Sequence, residues 1–322
     1  MRRNFFLLTC CCLALLSCTN SNIIEDVQNE IASEDETIIV GVNLSGDIET
    51  DETPLTRGET DSRDLIGIQV YRGSSYFCYG LFDNMNNVHV ALKAGSTYKF
   101  VCTVIKNGKD ICYEKVANNF NGYPFYLGQS GYGNWCDNTF SYYMSGPRSA
   151  YLSDGKIALK GNSTGYSYRE ADRFYGELSD YTPAVNGSVS IPLRRVSCGI
   201  KVKVVGVTDG TAKVKCYNDY NTFFDNSSIS NSAESTGKMY CMYNIKDAWM
   251  YADQDYQEPI KLSVVWTRGN GIVQDLGTKQ AYVKRNVMNI IKVKLSTNDT
   301  DVDVDVDPEE GGMDEEDEDL NG

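Results

Sequence analysis

This 322-residue sequence predicts an all-β protein made of two β-sandwich domains, and three observations carry that expectation. Apolar residues alternate with polar ones in short runs, as in strands with one buried face. Turn dipeptides punctuate those runs at Asn107-Gly108, Asn121-Gly122, Asp154-Gly155, Asn186-Gly187 and Asp209-Gly210. Beyond the N-terminal tether, no window keeps a helical period across about ten residues. Short strands at this spacing argue for sandwiches.

The N-terminus reads as an export signal covering 1–17. Arg2 and Arg3 precede an apolar run, Phe5–Leu16. As a helix that run rises about 18 Å, too short for a hydrocarbon core of about 30 Å. The four residues Leu15-Leu16-Ser17-Cys18 are similar to a bacterial lipobox, with Cys18 as the thiol to be lipidated. The expectation is a lipoprotein, tethered to the outer membrane through the lipid on Cys18 and exposed at the cell surface. An ordinary secretory signal with an incidental cysteine is the alternative. Cys10, Cys11 and Cys12 act inside the run as small hydrophobes.

Residues 18–36 are polar and acidic, a flexible tether. Ile38, Val40, Val42 and Leu44 then alternate as a leader strand, 37–44. The stretch 47–64, with Pro54, Gly58 and seven acids, reads as an exposed loop. Ile66/Ile68/Val70 and Val88/Val90/Leu92 follow as strands, and Tyr98–Ile105 is apolar on both faces, as a central strand can be. Asn107-Gly108 is a hairpin signal that sets 103 opposite 112, so the Cys102 and Cys112 thiols point to opposite faces and are not bonded to each other. Glu170–Phe174 holds one helical turn at most. A boundary near Pro183–Gly187 divides an N-terminal sandwich, 37–185, from a C-terminal one, 186–298. Val189/Ile191/Leu193 open the second. Cys198, Ile200, Val202 and Val204 then face away from Lys201 and Lys203, and Ile260–Trp266 and Val287–Leu295 complete it.

The formal charge is −14, yet thirteen acids and no base lie between Asp299 and Gly322. The body is therefore near neutral and carries no basic footprint for nucleic acid. The tail 299–322 is expected to be disordered and solvated. Counted from Asp299 it resembles a calcium loop, but Val304 stands where the sharp turn wants glycine.

Little here points to bond chemistry. The one histidine, His89, falls on the polar side of its strand, and no nucleophile elbow, P-loop or HExxH motif occurs. Seven body cysteines form an odd set without CxxC spacing. The expectation is no enzyme, no cofactor and no metal. Tyrosine is plentiful at 22 residues, and Tyr132, Trp135, Tyr142 and Tyr143 cluster among glycines and asparagines. These rings could stack on sugars or could pack a sandwich edge with their polar ends in water; both readings stand.

Five marks together resemble the fimbrillin superfamily of Bacteroidetes, which builds and anchors type V pili. They are Cys18; Leu55-Thr56-Arg57-Gly58; Asp64-Leu65-Ile66-Gly67-Ile68-Gln69-Val70-Tyr71; Asp172-Arg173-Phe174-Tyr175-Gly176 leading to Ile191-Pro192-Leu193-Arg194-Arg195-Val196; and Lys284-Arg285-Asn286-Val287-Met288-Asn289. The resemblance implies two transthyretin-like sandwiches and a role in adhesion as pilus subunit or anchor. It also implies a protease cut between Arg57 and Gly58 that frees the leader strand, after which a strand of another subunit fills the groove. Other pilus subunits, the outer membrane and a host or glycan ligand would be the partners, with the mature protein found in the fimbrium after cleavage. Relatives of the anchor type keep their lipid and stay uncut. A glycan-binding surface lipoprotein of a polysaccharide-uptake system is the alternative.

Overall fold

Strand pairing, far more than any local propensity, organises this chain. The computed structural model describes residues 36–48, 63–113, 136, 138–142, 158–159, 171–218, 222–230, 234–242, 244–295 and 302–308. These are almost entirely β. All of them belong to one compact unit, Ala32–Gly322.

The first strands are β1 (Thr37–Gly46), β2 (Leu65–Arg72), β3 (Ser75–Phe82), β4 (His89–Lys93) and β5 (Tyr98–Ile105). A single turn, α1 (Gly108–Ile111), leads to β6 (Cys112–Tyr113), and β7 (Phe140–Ser141) and β8 (Ala158–Leu159) are equally short. Then come β9 (Arg173–Tyr181) and β10 (Ser188–Arg195). Apart from the β6–β8 pair, they form one hydrogen-bonded series, β4-β1-β10-β9-β5-β2-β3-β7. β10 is its corner. Residues 188–193 run parallel to β1, while Arg194 and Arg195 pair with Tyr175 and Phe174 of β9. The series thereby closes on a shared core. Val40, Val90, Leu92, Ile191 and Leu193 meet Ile68, Val70, Phe100, Cys102 and Val104, all fully buried.

The chain then crosses into β11 (Ser197–Val205), β12 (Thr211–Tyr217), β13 (Thr222–Ile229) and β14 (Glu234–Cys241). A short helix, α2 (Ile245–Met250), precedes β15 (Gln257–Thr267), β16 (Val273–Lys284), β17 (Met288–Leu295) and β18 (Val302–Pro308). Two four-stranded sheets, β14-β11-β17-β18 and β13-β12-β15-β16, enclose the second core around Trp266, Ile200, Val202, Val214, Leu262 and Ile291. Packing two inner faces in this way is the sandwich solution to burying one face per sheet.

Three expectations change at the level of strands. Asn107-Gly108 makes no hairpin: both edges of β5 are taken, by β2 and β9, so the chain cannot return beside it. The Cys102 thiol is nonetheless, as expected, not in a disulfide, and it is buried. Ser188–Arg195, read as the opening strand of the second sandwich, hydrogen-bonds instead to β1 and β9 of the first. The end of the Glu170–Phe174 stretch is strand from Arg173 onward.

The largest difference lies in the acidic tail. Val302–Pro308 is an antiparallel strand on β17, and Val304 and Val306 pack half-buried against the second core. Register explains how so acidic a stretch can pair: Asp303 falls opposite Lys294 and Asp305 opposite Lys292. Residues of unlike charge at opposed register positions offset the poor strand propensity of aspartate.

Candidate functional site

Strand β1 is held between two strands that lie far from it in sequence, β4 and β10. Ile38, Val40 and Val42 are buried and Leu44 is packed against the same core, while Ile39 on the opposite face is 57% exposed. Alternation thus carries over from sequence to burial without a slip. The N-terminal half, Thr37–Gly41, pairs antiparallel with Lys93–His89 of β4, and Gly41–Gly46 pairs parallel with Ser188–Leu193 of β10. Val42 N–H donates to Val88 O at 2.9 Å, and Ala94 N–H donates to Glu36 O at 2.9 Å, which fixes both ends of the β4 contact.

β1 is the only strand partner of β4 among the described residues. Its other neighbour, β10, keeps just two paired residues with β9. Without β1, therefore, β4 loses its sheet and β10 most of its ladder. Val90, Leu92, Val189 and Ile191 would then face water. Each buried branched side chain of β1 contributes about 1.5–3 kcal/mol, so three of them contribute on the order of 6 kcal/mol before hydrogen bonds are considered. The groove needs a strand in it.

At the C-terminal end of β1 the chain meets a polar junction. Asp47 N–H donates to Leu193 O at 2.9 Å, and its Oδ2 accepts from Arg285 Nη1 at 2.9 Å and from Arg195 N–H at 3.2 Å. Arg285 lies in the turn between β16 and β17, and its Nη1 also donates to Arg195 O at 3.0 Å. The Arg195 guanidinium grips Asp172 with two bonds, Nε to Oδ1 at 2.8 Å and Nη2 to Oδ2 at 2.6 Å. It also lies over the Phe174 ring, 5.6 Å from its centroid. Ser197 Oγ donates to Asp172 as well, at 2.6 Å. Beneath this, buried Arg173 donates from Nε to Thr103 Oγ1 at 2.8 Å. The fork of arginine suits such two-point grips on carboxylates.

Nearby, Tyr175 donates to Glu177 Oε1 at 2.5 Å, and Lys99 pairs with Glu177 Oε2 at 2.6 Å. Burial disfavours the Glu177 carboxylate, but hydrogen bonds from Lys99 and Tyr175 outweigh it and hold its pKa below the usual range. Burial, with the adjacent carboxylate, pushes the Tyr175 phenol well up, so it stays a donor.

Of the residues singled out in the sequence, Tyr142 is placed. It is 44% exposed, its hydroxyl accepts from Ala91 N–H at 2.8 Å, and its ring meets Phe77 edge-on at 5.7 Å. That ring props the β3–β4 side of the first sandwich. His89 is exposed at the start of β4, with Nδ1 2.7 Å from Asn87 O. Cys18, Arg57, Gly58, Tyr132, Trp135 and Tyr143 lie outside the described residues, as do the tether 18–35 and loop residues 49–62. Ile48, at the start of that loop, is buried in the first core. Sequence reasoning did not find the Asp47–Arg285 pair, since 238 residues separate its members and no local pattern joins them.

No family model matches this chain, and no curated protein matches it. Solved structures similar to it are fimbrial and adhesin proteins of Bacteroidetes. One is the tip fimbrial protein Mfa3 of Porphyromonas gingivalis, solved with a C-terminal truncation: 11% identity, TM-score 0.37, covering 85% of this chain and all of that one (100%). Another is a fimbrial assembly protein of Parabacteroides distasonis: 12% identity, TM-score 0.32, covering 85% of this chain and 99% of that one.

Proposed function

We propose that this protein is a fimbrillin-like surface lipoprotein, a structural or anchor subunit of a pilus acting in adhesion, and that it assembles by replacement of its leader strand. One observation carries the reading: among the described residues β1 is the strand on which β4 depends wholly and β10 largely, and the chain runs on from it to β2 through the 47–64 connection. Cutting that connection between Arg57 and Gly58 leaves β1 held by non-covalent contacts alone. A strand from another subunit, with the same alternation, restores the buried face and the two ladders. Nothing in this needs a reactive centre, and the work is mechanical rather than enzymatic. Cys18 carries the lipid that holds the uncut form at the outer membrane.

The test is limited treatment of the folded full chain with an arginine-specific protease, followed by N-terminal sequencing and gel analysis without boiling. A new terminus at Gly58 together with a ladder of oligomers is the expected result. A chain that stays intact and monomeric, with acylated Cys18 as its only terminus in cells, refutes the replacement step and leaves an anchor.

A further inference from the structure

The groove that β1 fills ends in a charged notch, and we propose that this notch selects the strand that occupies it. The fitting strand has branched apolar residues at alternate positions and a carboxylate three residues beyond the last of them. The inference rests on the strand-replacement reading above and names the partner that reading requires.

The spacing is that of β1 itself. Leu44 is its last inward side chain, and Asp47, three residues on, delivers the carboxylate. Two donors meet it there from different parts of the chain: the Arg285 guanidinium at 2.9 Å, from the turn after β16, and the Arg195 N–H at 3.2 Å, from the end of β10. Neither donor belongs to β1, so both remain when the leader departs. Among the described residues the carboxylate paired with Arg285 is Asp47, because Asp172 is already gripped by the Arg195 guanidinium and by Ser197 Oγ. Arg285 is also sheltered, with its side chain 17% exposed. A filler with a neutral residue at this point would take the carboxylate away from a partly buried cation, leaving the Arg195 carbonyl to accept from Arg285 in its place, which costs more than the bond itself contributes.

Gly46 adds a steric condition, since a Cβ at that position would lie 2.1 Å from the Leu193 carbonyl oxygen, whereas the apolar pockets accept any branched residue of similar volume. The carboxylate therefore sets register as well as identity: a strand slipped by two residues keeps its apolar face buried but moves its acid out of reach.

The experiment uses the full chain, cut within residues 49–62 by an arginine-specific protease, and two labelled peptides spanning 37–48, one native and one carrying Asp47→Asn. Incorporation of each is read by native mass spectrometry in competition. The native peptide is expected to enter about tenfold more than the Asn peptide, a difference of about 1.4 kcal/mol. In Arg285→Gln protein that preference vanishes, and in Arg285→Lys it is partly kept. Equal entry of both peptides into wild-type protein overturns the selection while leaving strand replacement intact. Entry of neither overturns strand replacement, and the selection with it.

Discussion

Gly46 is pressed against Leu193: a Cβ on Gly46 would lie 2.1 Å from the Leu193 carbonyl oxygen, and its backbone sits at φ +100°. Only glycine satisfies both conditions, and this is how the leader leaves its groove and turns Asp47 toward Arg285. Gly46→Ala must therefore push β1 away from β10 or strain the backbone. We expect a loss of about 3 kcal/mol in urea unfolding, with the m-value unchanged. Gly73→Ala is the control, since its φ is also positive but nothing lies within 4 Å of the added methyl.

The Arg195–Asp172 grip predicts a second result. Its side chains are 6% and 16% exposed, so removing the cation leaves a sheltered carboxylate with the Ser197 hydroxyl as its donor. Arg195→Met is expected to cost about 3 kcal/mol. Arg195→Lys recovers only part of that, because an ammonium cannot make the two-point contact with both carboxylate oxygens. Thermal melts of the two variants beside Asp172→Asn check this order.

Much of the fold was legible because period-two alternation reports directly on burial. Ile38/Val40/Val42 and Cys198/Ile200/Val202/Val204 lie on inward faces as read. What was not legible is which strand sits beside which. Val189/Ile191/Leu193 alternates correctly, yet no local feature says that its neighbours are β1 and β9. Asn107-Gly108 carries turn chemistry, and the chain does turn there, with Asn107 at φ +52°, but tertiary pairing of β5 decides against a hairpin. The candidate site divides in the same way. Its apolar strand is written in eight consecutive residues, whereas its ionic end joins Asp47, Arg195 and Arg285, far apart in sequence.

Acid should weaken the fold through Glu177 and Asp83. Burial opposes ionisation of Asp83 too, but hydrogen bonds from Lys109 and Asn138 outweigh it and lower its pKa, as Lys99 and Tyr175 do for Glu177. A carboxylate whose folded pKa lies below its unfolded value stabilises the fold above the unfolded value. That stability is lost as pH falls through the folded one. Unfolded references of about 4.3 for Glu and 3.9 for Asp put the onset of loss near pH 5. Urea midpoints taken from pH 7 downward are expected to decline below that point, and Glu177→Gln should flatten the decline while lowering the pH 7 value.

The acidic strand β18 should be the part of the second sandwich most sensitive to salt. Its hold has two components: Val304 and Val306 packed against the second core, and aspartates set in register opposite Lys292 and Lys294. The apolar component does not weaken with salt, but the charged one does, as the Debye length falls from about 10 Å at 0.1 M to about 3 Å at 1 M. Among the described residues β18 is an edge strand paired with β17 alone, so it can open without disturbing β11 or β14. Amide exchange of 302–308 should therefore quicken on raising salt, while the interior of β17 stays protected by its parallel pairing with β11. Val304→Asp removes the apolar hold as well and is expected to leave 302–308 exchanging rapidly at every salt concentration, with the second core less stable by about 2 kcal/mol. Exchange of 302–308 that ignores salt would mean that the opposed charges contribute nothing and that the two valines alone keep the strand in place.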